Sequence, residues 1–336
     1  MPAMTLPLVA LLLAAGGPLK SATALAFGPD GTLYVADPQV GAVVAVPTPA
    51  GPPGTADLAI DDLGGKLAKL LGTADLTVND LKVRPTAGEL YLSVTAGKGD
   101  AARPAVVRVG HDGTPAAVDV TGKACVLAGA KNTQRQEAIT CMAVAGNRLL
   151  VAGLSNEEFA STFRVIPLPL PAEAGKGTGI EVYHAAHGKT ETHAPIRTFV
   201  PYTAGGVEYV MAAYTCTPLV RLAAADLKPG AKLTGVTVAE LGNRNTPLDL
   251  IAYQKGGKDF LLMTNTARGV MKIPADPAAA AEGLTRPVRG GGVAGLPFEP
   301  VPLDGVVQMD KLDADRAVVL VRGADKVLSV RTVPLP

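Results

Sequence analysis

Reactive side chains are few in this chain, and they cluster. Three of its four histidines, His184, His187 and His193, stand close together. That spacing would present two or three imidazoles to one Cu or Zn ion, and Cys216 would add a soft sulfur donor. A second set, Asn79, Asp80, Asp249 and Gln308, carries carboxylate and amide oxygens. Converging, these would suit Ca²⁺ or another hard cation, or a polar small molecule. Asn243, Asn245, Asn265 and Arg268 would supply further donors for an anionic or carbonyl-bearing ligand.

Cys125 and Cys141 are close enough in sequence to form a disulfide in an oxidising compartment, which would leave Cys216 as the odd thiol. No Gly-x-Ser-x-Gly elbow, phosphate-cradling Gly-Lys-Ser/Thr loop or Cys-x-x-Cys-His haem motif occurs. Two function classes stay open. One is a binding or interaction protein with a ligand or metal site, taking a small molecule or a protein partner. The other is a metal-dependent enzyme of lactonase, hydrolase or redox type, in which the metal polarises a carbonyl or carries electrons.

The elements that must position these groups are short strands. The phrase Ala24-Leu-Ala-Phe-Gly-Pro-Asp-Gly-Thr-Leu-Tyr-Val-Ala-Asp37 reads as two apolar strands around a Pro-Asp-Gly turn, and degraded copies begin at Asp80, Ile139 and Asp249. Such repetition predicts an all-β chain folded as a β-propeller, with six blades favoured and seven possible. Strand-rich blocks fall at 22–61, 78–121, 138–184, 195–242, 247–290 and 304–332. The last lacks an obvious fourth strand, expected from the N-terminal residues or from Thr332-Val-Pro-Leu335. In a propeller the loops between blades and between second and third strands share one face around the channel. The histidines and cysteines therefore map to that face, and the second set to the channel mouth. Leu63 to Leu71 has helical spacing and suits a helix over a blade edge, and Asp276 is placed to cap a helical turn that starts with Pro277.

The Gly28-Pro-Asp-Gly-Thr-Leu-Tyr-Val-Ala-Asp37 phrase resembles those of NHL-repeat proteins and of gluconolactonase-like (senescence marker protein 30-like) propellers. Asn79-Asp80 before a strand resembles the latter's metal-binding residues. The resemblance implies a divalent cation that polarises a lactone carbonyl. Ser21-Ala-Thr23 stands where that family's Glu is expected, so this chain departs from the pattern at one ligand.

Composition fits a strand-and-turn protein: 38 Gly and 28 Pro supply turns, and 48% apolar residues supply a core. A net charge of +1 gives no field to draw nucleic acid, and with 4% aromatics and no Trp base stacking is poorly provided for. Leu6 to Ala15 reads as the apolar region of a signal peptide over 1–17. The rest, 18–336, is then one exported propeller domain, periplasmic or extracellular, without a membrane-spanning segment.

Overall fold

The repeated phrase closes as a hairpin. Leu25–Phe27 (β1) and Leu33–Asp37 (β2) pair antiparallel around a turn in which Gly31 takes φ 82°, a left-handed value that favours glycine. Asp30 locks the turn, its Oδ1 accepting the Thr32 N–H at 3.0 Å and its Oδ2 the Thr32 hydroxyl at 2.9 Å. The Asp112-Gly113-Thr114 turn repeats the device at 3.0 and 2.8 Å. This computed structural model describes residues 19–336 apart from 52, 131–134, 217 and 291. The expected signal segment lies outside the described residues.

Strands then follow one another with little else between them: Ala42–Val46 (β3), Ala59–Ile60 (β4), Leu76–Val83 (β5), Leu90–Ala96 (β6), Arg103–Val109 (β7), Pro115–Ala117 (β8) and Lys123–Leu127 (β9). Next come Cys141–Ala145 (β10), Arg148–Leu154 (β11), Ser161–Pro167 (β12), Glu173–Ala174 (β13), Thr178–His184 (β14), Lys189–Glu191 (β15), Ile196–Ala204 (β16), Val207–Tyr214 (β17) and Pro218–Ala223 (β18). The last are Lys232–Leu241 (β19), Pro247–Lys255 (β20), Lys258–Asn265 (β21), Gly269–Pro274 (β22), Val293–Gly295 (β23), Glu299–Val301 (β24), Val306–Lys311 (β25), Arg316–Arg322 (β26) and Leu328–Pro334 (β27). The chain is all-β in a propeller-like arrangement. Three sheets are four-stranded and antiparallel, ordered β5-β6-β7-β8, β20-β21-β22-β24 and β25-β26-β27-β4. A fourth runs β1-β2-β3-β9-β13. In the largest sheet, β10-β11-β12-β14 and β16-β17-β18-β19 are fused along their outer edges by the parallel pair β14 and β19.

The innermost strands touch one another in a closed ring, in the order β1, β10, β16, β20, β25, β5 and back to β1. That order is not the order of the chain. The β5 sheet sits between the first and last sheets, and core packing follows: Leu81, Leu92 and Val107 pack with Val318, Leu320 and Val330 on one side, while Tyr91 and Val106 pack with Leu33 and Val44 on the other. The chain thus builds three strands, crosses to the last sheet to lay down β4, steps back to build the β5 sheet, and returns to finish the first sheet with β9. The fourth strand of the C-terminal sheet is therefore Ala59–Ile60. Of the expected candidates, Thr332 to Pro334 belong to β27 itself, and residues 1–18 lie outside the described residues.

Leu63–Leu71 forms the expected helix (α1), capped by Asp62, whose Oδ1 accepts the Gly65 N–H at 2.7 Å, and ended by Gly72 at φ 69°. Its Leu63 and Leu67 are buried against the β27 side of the core, so it covers a sheet edge. Asp276–Ala280 forms α2, but Asp276 sits inside the first turn instead of capping it. Its carboxylate accepts the Tyr202 hydroxyl at 3.3 Å and the Asp259 N–H at 3.2 Å.

Candidate functional site

Beta-bulges mark the innermost strands. In β5, β20 and β25 the register shifts at Val78/Asp80, Pro247/Asp249 and Val306/Gln308, and the bulged segment re-aims the side chains that follow. Asp80 and Asp249 follow such bulges and reach the next sheet. Asp80 Oδ2 accepts the Leu25 N–H at 2.7 Å, and Asp249 Oδ2 accepts the Met309 N–H at 3.0 Å. Their Oδ1 atoms accept their own following N–H groups, Leu81 at 2.8 Å and Leu250 at 2.9 Å. Asp310, which sequence reasoning missed, makes the same clasp to Val83 (2.8 Å) and Lys311 (2.9 Å). Hydrogen-bonding neighbouring sheets in this way satisfies backbone donors that the ladder cannot.

Lys82 sits among these carboxylates. Its Nζ is 3.0 Å from Asp80 Oδ1. Burial alone would lower its pKa, but Asp249, Asp80 and Asp310 together hold it well above the usual lysine value. Asp249 is pushed up to about 7 by burial, against the pull of Lys82, and Asp310 is raised for the same reason. Three carboxylates thus face one ammonium. Lys82 and Asp310 were discoverable: in a strand, residues two apart share a face, so Asp80 implies Lys82 and Gln308 implies Asp310.

Above this group lies a cavity of about 470 Å³ lined by every innermost strand of the ring, with Lys82, Asp249, Asp310 and Cys141 at one end and Phe27, Val144, Phe199, Pro201 and Leu312 on its walls. The lining runs from Cys141, Asp249 and Lys82 toward Val144, Ala252 and Pro85. It therefore occupies the half of the channel nearest the C-terminal ends of these strands, away from the mouth where Asn79 and Gln308 stand. There Asn79 Nδ2 donates to Ala22 O at 2.8 Å and to Thr95 Oγ1 at 2.9 Å, and Gln308 Nε2 donates to Asn79 O at 3.3 Å.

The disulfide expected between Cys125 and Cys141 is not formed, and all three cysteines are free thiols. Cys125 lies on β9, the fourth strand outward in its sheet, and Cys141 opens β10 beside the channel. Three strand spacings, about 14 Å, separate a fourth strand from the innermost level. Burial pushes the Cys125 thiol up to about 11 and the Cys141 thiol to about 12, so both stay protonated. Cys216 occupies a left-handed turn position (φ 63°), where its N–H donates to Asn245 O at 2.7 Å.

At the rim, where β14 turns into β15, His184 and His187 come together with rings 3.8 Å apart. Both face Glu191, with His184 Nδ1 at 3.3 Å from Oε2 and His187 Nδ1 at 2.8 Å from Oε1. Ligand atoms of His184, His187 and Glu191 all lie within 4.8 Å of one another. Among the described residues this metal-capable group includes neither His193, exposed and 2.9 Å from Thr192 Oγ1, nor Cys216. Glu240 of β19 backs the pair: its Oε1 accepts the Ala186 N–H at 3.1 Å, and its Oε2 lies 3.9 Å from His184 Nε2. Burial lowers the pKa of His184 and raises that of Glu240 to about 7.

No protein-family model and no curated protein matches this chain. Solved structures similar to it include a proposed oxidoreductase (glucose dehydrogenase) from Thermus thermophilus, at 14% identity and TM-score 0.35 over 94% of this chain and 97% of that one. The PQQ-bound aldose sugar dehydrogenase of Streptomyces coelicolor matches at 11% identity and TM-score 0.32 over 94% of each chain. A GH43 endo-arabinanase from Bacillus licheniformis matches at 11% identity and TM-score 0.36, over 76% of this chain and 92% of that one.

Proposed function

We propose that this chain is a six-bladed propeller that binds a small molecule in its channel cavity. Six innermost strands in the ring, each with strands stacked outward from it, support that count, with β9 and β4 completing the first and last. One observation carries the binding reading: a cavity of about 470 Å³, within the range of ligand sites, has mostly apolar walls and ends on a group of convergent charges. Perturbed titratable groups gathered in a cleft are a mark of function. Excess carboxylate at a buried end favours a ligand with a cationic or hydrogen-donating head, which would complete the charge balance, and an apolar body to cover Phe27, Phe199 and Leu312.

Catalysis is not needed to explain this arrangement. Each oxygen of Asp80, Asp249 and Asp310 already accepts a backbone N–H, so the three carboxyl groups are fixed in place. The test is to fill the cavity. Ala143 and Ala252 line it, and Ala143→Trp should abolish binding of any small molecule found by saturation-transfer NMR against the wild-type protein. Binding that survives Ala143→Trp and Ala252→Trp alike would place the ligand elsewhere.

A further inference from the structure

The rim group asks for a partner of its own. His184 is 3% exposed and Glu240 is fully buried, yet among the described residues His184 Nε2 and Glu240 Oε2 have no hydrogen-bond partner. They face each other at 3.9 Å, beyond hydrogen-bond range. A buried imidazole nitrogen and a buried carboxylate oxygen left in this way are costly. On the opposite side of the same ring, His184 Nδ1 shares Glu191 with His187.

We propose that His184, His187 and Glu191 bind one divalent first-row ion of the zinc type, with Glu240 as the outer carboxylate that orients His184. Donors set about 2.1 Å from one tetrahedral ion stand about 3.4 Å apart. One ligand atom from each of the three residues lies within 4.8 Å of the other two, and the imidazole nitrogens already meet the Glu191 carboxylate at 3.3 Å (Oε2) and 2.8 Å (Oε1), so small shifts would bring the set to that spacing. Two imidazoles and one carboxylate are a donor set that zinc accepts, and three protein ligands leave a fourth position open. His187 is 44% exposed, so that position is open to water or to a small anionic ligand. An ion on Nδ1 leaves His184 Nε2 as an N–H donor facing Glu240 Oε2, which it would pair once the two close from 3.9 Å to hydrogen-bond range; such histidine–carboxylate pairs orient metal ligands. The ion would hold the β14–β15 turn together, and through His184 and Glu240 link it to β19 of the neighbouring run.

The site is distinct from the channel cavity and does not depend on it. The test uses the full chain without an affinity tag, Zn²⁺ for affinity and Co²⁺ as a spectroscopic probe. One equivalent of each ion should bind, with a visible Co²⁺ absorption band of a four- or five-coordinate site. His187→Ala, at a half-exposed position that the fold tolerates, and Glu191→Gln should each abolish that band. Glu240→Gln should keep the band and weaken affinity by about 10- to 100-fold, while His193→Ala should change nothing. No saturable binding of either ion, unchanged binding in both His187→Ala and Glu191→Gln, or loss of the band in His193→Ala would overturn the assignment.

Discussion

Lys82 is kept charged inside the channel by its neighbours, and that has a pH signature. Its pKa is held well above the unfolded value of 10.5 by Asp249, Asp80 and Asp310, against burial. A base whose folded pKa is raised stabilises the fold fully below its unfolded pKa and loses that contribution as pH rises through the folded one. Lys82→Met should therefore cost about 2 kcal/mol or more at neutral pH. The deficit, from urea unfolding of both proteins, should be full from neutrality to about pH 10, shrink below neutrality as Asp249 takes up a proton, and shrink again above the lysine range. A deficit that shrinks between neutrality and about pH 10 would contradict this. Asp249→Ala removes the acceptor of the Met309 and Leu250 N–H groups, and leaving these unpaired should cost about 1–3 kcal/mol in the same assay. Site residues were legible in part. The His184 and His187 pair and the Asp80 and Asp249 positions stood out by type and spacing. Glu240 did not, because it joins His184 through a parallel pairing of two outer strands, a contact that no local pattern encodes.

Elements were more legible than their partners. Hairpins such as β1–β2 announce themselves by short apolar runs around an Asp-Gly turn, and α1 by leucines at helical spacing, to which the structure adds the Asp62 cap and the Gly72 stop. Leu67, fully buried against Val330 and its neighbours, should cost about 2–5 kcal/mol when cut to alanine. Asp62→Ala should cost about 1 kcal/mol through the lost cap. Thermal unfolding checks both, and equal effects would mean that α1 adds little packing. The swapped strands were not legible. Ala59–Ile60 is two residues long, too short for any alternation to show, and only Ile60 is buried; its place beside β27 comes from tertiary packing and from the Leu58 N–H donating to Thr332 Oγ1 at 2.8 Å.

At the scale of the whole molecule, the ring is closed twice. The N-terminal sheet is completed by β9 and the C-terminal sheet by β4, so each end is held by a strand from a distant part of the chain. Opening the C-terminal sheet breaks the β27–β4 pairs made by the N-terminal run, opening the N-terminal sheet breaks the β3–β9 pairs, and the β3–β4 connection couples the two. Amides of β1–β3 and β25–β27 should exchange with solvent together, in one cooperative opening; early exchange confined to β1–β3 would show that the closure does not couple them. The closed ring also fixes the channel, whose cavity, on the function proposed above, selects a ligand by charge as well as shape. The most direct test is calorimetric titration of matched aryl-alkyl probes, one ending in an ammonium, one in a hydroxyl and one in a carboxylate. The ammonium probe should bind most tightly, by about tenfold or more over the alcohol, the carboxylate least, and Ala143→Trp should remove all binding. Equal binding of the three probes, or a preference for the carboxylate, would contradict it.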